Sequence, residues 1–173
     1  LLNVTDDQFN QYMGTEQIYK ITDNAYMSKM NGLSMEYQAY DARDNRLLNK
    51  FQGNDTIYAI DAYTFSEQIS EYSIEDSDVT VLGYKCKVLK ISSNVGKSEY
   101  YFSPEISVDP KLFKNHNYGS WSFIVEKTKS IPIKTRIEND QFIMESIATE
   151  IIEKDIVINV DSIIMGMIIK EFQ

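Results

Sequence analysis

The chain has one cysteine, one histidine and seven glycines in 173 residues, and each scarcity closes off a class of chemistry. The lone Cys86 cannot form a disulfide within the chain, so cysteine usage neither requires nor forbids an oxidising compartment. With His116 as the sole imidazole, a multi-histidine metal site cannot be built, and a cysteine–histidine pair has a single candidate. The seven glycines assemble neither a phosphate loop nor a dinucleotide fingerprint, and no cofactor is expected. Basic residues are also short: 17 Lys and Arg against 26 Asp and Glu leave a net charge of −9, which repels nucleic acid and anionic membranes. The longest apolar runs, such as Ile163 to Ile169, fall far short of the ~20 residues needed to span a bilayer.

What remains is a globular composition, 43% apolar and 12% aromatic, able to bury one self-supporting core. No repeat, low-complexity tract or linker interrupts it, so residues 1–173 are expected to form a single domain. The chain opens at Leu1 without a basic or apolar leader and is read as a mature or trimmed fragment, which leaves room for a removed signal.

Local patterning predicts a mainly β fold. Thr5 and Gln8 form a capping box ahead of a short amphipathic helix, Asp6 to Met13, with Gly14 at its end. From there the apolar period becomes two. Strands are expected at Gln17 to Ile21, Ala25 to Met30, Leu33 to Arg43, Arg46 to Phe51 and Thr56 to Asp61, with Asp44-Asn45 as a tight turn. Asp76-Ser77-Asp78 and Asn94-Val95-Gly96 punctuate further strands at Val79 to Ile91 and Lys97 to Ser103; Trp121 to Thr128, Ile131 to Glu138 and Gln141 to Glu153 complete the set. Links this short join antiparallel neighbours, and about ten strands exceed what a flat sheet usually carries. The expectation is a strongly curved antiparallel meander, half-barrel-like, with one or two short helices. Asp109-Pro110 starts one such short helix or turn. Tyr63 to Tyr72 and the conformation of 156–173 stay open.

Candidate chemistry is sparse. His116, in Asn115-His116-Asn117, is expected as an exposed loop imidazole, and Cys86 as a small apolar strand residue in a core. Clustered acids such as Glu75, Asp76 and Asp78 match no calcium loop. The aromatic excess says more. Rings alternating along curved strands fill a core or line a hollow that takes an apolar ligand, and Met35, Tyr37, Tyr84, Trp121, Phe123, Phe142 and Met144 are the candidate lining. In Trp121 to Val125 both faces are apolar, which leaves the inward register open.

The stretch Val81-Leu82-Gly83-Tyr84-Lys85-Cys86-Lys87-Val88 resembles the Gly-Tyr-Lys-Cys strand of small secreted Bacteroidetes proteins of unknown function related to the GLPGLI group. Glu99-Tyr100-Tyr101-Phe102, Glu105-Ile106-Ser107-Val108, Asp109-Pro110 and Met144 to Ile151 extend the likeness over roughly 80–155. The Leu-Pro-Gly-Leu-Ile loop itself is absent, with Asn117-Tyr118-Gly119-Ser120 in its approximate place. The resemblance implies an exported protein of the periplasm or cell surface, a lipoprotein among the options, built like carriers of outer-membrane lipoproteins as a bent sheet around an apolar cavity. It implies no catalytic residues.

These readings converge on a noncatalytic envelope protein that binds a lipid, another apolar ligand or a lipidated chain on the concave face of its sheet. The alternative is a structural or protein-interaction module without a ligand cavity, recruiting its partner through an exposed edge or through the apolar tail at 156–169. An enzyme would need an acid pair converging in a cleft.

Overall fold

A computed structural model describes residues 5–64 and 67–171. The protein is mainly β, with 46% strand and 17% helix. Contacts divide the chain into two compact units, Leu1–Thr64 with Asp155–Gln173, and Phe65–Lys154.

The first unit opens with helix α1, Asp6–Met13, whose capping box is formed as expected: the Gln8 amide donates to the Thr5 hydroxyl, and the Gln8 side chain accepts from the Thr5 amide. Five strands follow, β1 (Gln17–Ile21), β2 (Ala25–Met30), β3 (Met35–Asp41), β4 (Arg46–Phe51) and β5 (Thr56–Asp61). Their bounds match the period-two reading closely. Asn45, with φ 52°, supplies the left-handed turn into β4, a conformation Asn tolerates better than most residues. Close approach fixes one glycine here. A Cβ on Gly32 would lie 2.4 Å from the Gly14 amide nitrogen, so the α1 terminus can rest against the β2–β3 connection only where no side chain intervenes.

After β5 the first unit resumes at the carboxyl end with α3 (Val160–Ile164) and β11 (Ile168–Glu171). The sheet order is β1-β2-β3-β4-β5-β11, antiparallel throughout except that β11 lies parallel to β5. Ala25, Tyr37, Ala39, Leu48, Ile57 and Ala59 form one apolar face, and Val160 joins that cluster with Ile158, Ile163 and Ile164 packed against it. The other face carries a polar row. Tyr26 Oη donates to Gln38 Oε1 at 3.1 Å, and Gln38 Nε2 donates to Asn49 Oδ1 at 2.9 Å. Leu47, Leu48, Asn49 and Lys50 are all buried, so β4 lies inside on both faces. The Lys50 ammonium keeps its charge partner, Glu36, at 3.2 Å.

The second unit contains β6 (Ile69–Val81), β7 (Tyr84–Ser93), β8 (Gly96–Phe102), β9 (Lys134–Glu138) and β10 (Ile143–Ile147), in the antiparallel order β10-β9-β8-β7-β6. Between β8 and β9 run two 3₁₀ turns, Pro110–Phe113 and Tyr118–Ser120, and helix α2, Trp121–Thr128. The Asp109 side chain caps the first turn through the Lys111 amide, as its sequence suggests. Ile124 of α2 covers one face of the sheet with Leu89, Ile91 and Phe102, while Val81, Cys86 and Ile133 form a second cluster.

Several expectations are corrected. The strands form two sheets, neither closed nor strongly curled, in place of one strongly curved half-barrel. Short turns identify neighbouring pairs, but they do not say whether successive hairpins share a sheet, and β6 pairs with β7 rather than continuing from β5. Asp76-Ser77-Asp78 is a bulge within β6, not a turn. From Asp76 to Thr80 the strand advances four residues while its partner moves two, from Lys87 to Lys85. The true turn is Leu82-Gly83, both left-handed at φ 51° and 89°. Trp121 to Thr128 is helical, because Trp121, Ile124, Val125 and Thr128 recur at the spacing of one helix face. β10 ends at Ile147 instead of Glu153: its partner β9 begins at Lys134, and just before it Pro132 has no N–H to donate. Of the open segment Tyr63 to Tyr72, residues 69–72 begin β6, and Phe65 lies outside the described residues.

Candidate functional site

Within the second unit a cleft of about 420 Å³ opens beside the start of β6. Its polar lining is Glu67, Ser70, Asn117, Ser120 and Ser122, and its apolar lining is Ile69, Tyr72 and Phe123. β6 contributes one wall, and the segment turning into α2 contributes the other. That segment reverses through two successive left-handed residues, Gly119 at φ 61° and Ser120 at φ 59°. The conformation aims the Ser120 hydroxyl at the Glu67 carboxylate, to which it donates at 2.6 Å. Ser93, at the end of β7, donates its hydroxyl to the other carboxylate oxygen. Two hydroxyls therefore hold Glu67 in the lining of the cleft. Ser122 donates to Asn117 Oδ1 at 2.8 Å, and its amide donates to the His116 carbonyl at 2.8 Å.

His116 supports this wall from inside. It is fully buried, which corrects the expectation of an exposed loop imidazole. Phe113 packs against it at 6.0 Å, and Trp121 stacks on Phe113 at 5.6 Å, so aromatic neighbours bury a stretch whose own composition is polar. Burial pulls the imidazole down to a pKa of about 4, leaving it neutral at neutral pH. At the open side, Tyr72 meets Phe123 edge to face at 5.1 Å, and Lys127 lies over both rings at 5.7 and 5.5 Å.

A smaller recess of about 220 Å³ belongs to the first unit, bordered by Asn24, Ala25, Asp41, Arg43 and residues 157–161. Arg43 donates to both oxygens of Asp41 and reaches Asp161 at 3.4 Å. The Arg43 hydrogen bonds, the largest cause, hold the Asp41 carboxyl below its ordinary range. With two carboxylates around one guanidinium, the recess offers no spare positive charge and serves as a clasp on α3.

The seven ring and methionine positions singled out from the sequence do not share one face. Met35 and Tyr37 belong to β3 in the first unit, where Tyr37 is core. The other five are in the second unit. Tyr84 packs with the Cys86 cluster, whereas Phe123 packs with the Leu89 cluster; Trp121 stacks on Phe113, and Phe142 and Met144 are half-buried at β10. Only Phe123 lines the cleft. Cys86 is a buried strand thiol as expected, and burial pushes its pKa up. Glu67, Tyr72, Asn117 and Ser120 were not recognised; the one available sign was the Asn-Tyr-Gly-Ser stretch at 117–120.

The apolar tail at 156–169 divides. Ile158, Val160, Ile163 and Ile164 join the first core, while Met165, Met167, Ile168 and Ile169 remain exposed around β11. Among the described residues no group of three or more His, Cys, Asp or Glu side chains is placed to hold a metal ion, and no helix is long and apolar enough to cross a membrane. No protein-family model, curated protein or solved structure matches the chain.

Proposed function

We propose that this chain is a protein-interaction module that receives an extended segment of its partner along the free side of β6, with the adjoining cleft taking one of the incoming side chains. The observation that carries the reading is the edge itself: β6 runs for 13 residues, pairs among the described residues only with β7, and leaves Tyr72 and Ile74 exposed. An edge strand presents a row of backbone donors and acceptors on its unpaired side, and strand addition uses them for affinity while neighbouring pockets select side chains. The other edges, β1, β10 and β11, are four or five residues long, and neither recess borders them.

An apolar ligand or lipidated chain would have to meet the charged Glu67 among the lining residues of the larger cleft. A setting in the periplasm or at the cell surface belongs to the same proposal and rests on the Gly83-Tyr84-Lys85-Cys86 resemblance. Amide chemical-shift mapping with a panel of short extended peptides is the direct test. Perturbations should gather on residues 69–78 and 117–123. Binding that perturbs β1, β10 or β11 instead, or no binding by any peptide, overturns the proposal.

A further inference from the structure

We infer that the segment β6 receives is basic, with lysine or arginine at alternate positions. This rests on the strand-addition reading above and adds the chemistry of the partner. Residues 67–81 contain five carboxylates, Glu67, Glu71, Glu75, Asp76 and Asp78, and no lysine or arginine. Cations on β7 answer two of them: Lys90 pairs with Glu75 at 2.7 Å and Lys87 with Asp76 at 3.0 Å. Glu71 and Asp78 have no cation within ion-pair distance among the described residues. Among the described residues Glu67 is held by two hydroxyls, which orient its charge without neutralising it. By register Glu71 shares one face of the strand with Glu75, while Tyr72, Ile74 and Asp78 share the other. Lys127 lies over the Tyr72 and Phe123 rings, two of the residues that line the cleft.

This pattern selects among occupants. A second copy pairing β6 with β6 sets carboxylates opposite carboxylates, and like charges directly across a ladder are destabilising. The net charge of −9 adds long-range repulsion between copies. An extended segment with alternating basic residues meets attraction at both ranges. Its alternate cations face Glu71 and Glu75 on one side of the sheet, and its intervening side chains lie against Tyr72 and Ile74 on the other.

The test uses the whole chain and a capped nine-residue peptide of alternating lysine and valine, with glutamate replacing every lysine in its counterpart. Fluorescence anisotropy gives affinity, and amide shifts give position. The lysine peptide should bind at residues 69–78 and weaken about tenfold between about 50 mM and about 300 mM salt. Charge reversal at Glu71→Lys with Asp78→Lys should weaken it about tenfold again; the neutral pair Glu71→Gln with Asp78→Asn should fall between. N-methylation of alternate peptide amides should abolish binding, because strand pairing needs those donors. A lysine peptide that binds elsewhere, ignores the charge reversal or survives N-methylation overturns the inference. If the glutamate peptide occupies β6 and the lysine peptide does not, the basic partner is wrong and strand addition stands. If neither peptide touches β6, both fall.

Discussion

His116 shows how one buried side chain gives the fold a dependence on pH. Its imidazole stays neutral in the folded chain down to about pH 4, whereas an exposed imidazole protonates near 6.5. Between those values the unfolded chain binds the extra proton, so stability falls as the pH drops from 6.5 towards 4 and this contribution levels off below. The loss amounts to about 3 kcal/mol across that window. Carboxylates act in a lower window. Hydrogen bonds from Arg43, Lys90, Lys87 and Arg136, respectively the largest cause at each, hold Asp41, Glu75, Asp76 and Glu138 below the ordinary carboxylate range. Their contribution begins to fade only as the unfolded chain's carboxylates protonate near 4. Urea unfolding from pH 7 to pH 5.5 therefore isolates the histidine, before the carboxylates of the unfolded chain begin to protonate. The wild-type midpoint should drop steadily across that interval, and His116→Gln should flatten the slope whatever its effect at pH 7. Parallel slopes in the two proteins would mean that the imidazole does not titrate in this way.

At the scale of elements, the same physics explains which parts of the fold could be read in advance. β1 to β5 show themselves because polar and apolar residues alternate between turns rich in Asn, Asp and Gly. α2 did not, because Trp121, Phe123, Ile124 and Val125 are favourable in strands. The period that reveals a helix, 121, 124, 125 and 128, is carried by these same residues. The β6–β7 turn was missed for a related reason: Leu82 is a poor residue for the left-handed region, so Leu82-Gly83 carries no turn signature while the acidic triplet at 76–78 does. This mismatch predicts a gain. Leu82 is exposed, so replacing it with Asn removes a backbone penalty without opening a hole. Leu82→Asn should raise stability by about 0.5–1 kcal/mol, read as a higher urea midpoint with an unchanged slope. A lower midpoint would show that the Leu82 side chain contributes a contact worth more than the strain.

For the whole molecule, what the sequence could not disclose is contact between distant segments. Glu67 and Ser120 stand 53 positions apart, yet both line the cleft and share a hydrogen bond, and no spacing rule links them. The carboxyl-terminal segment poses the same problem. Its apolar residues are visible in the sequence, but that they return to the strands of residues 17–61 is not. Read as a docking tail, the segment after Asp161 should be removable with the fold intact and association lost. The structure gives it different work: Ile163 and Ile164 pack against the Ala39–Leu48–Ile57 core, and β11 pairs with β5 through Ile168 to Glu171. Arg46 also reaches Glu171 at 2.7 Å, and Arg43 reaches Asp161. Exposed ion pairs of this kind add little, so the weight falls on the two isoleucines and the strand. Ending the chain at Asp161 should cost at least about 3 kcal/mol, the scale of large-to-small changes in a core. It should also release amide protection along β5, whose outer side then lacks a partner. Hydrogen exchange followed residue by residue distinguishes the two roles. Full protection of β5 in the shortened chain, together with an unchanged urea midpoint, would return the segment to the status of a removable docking tail.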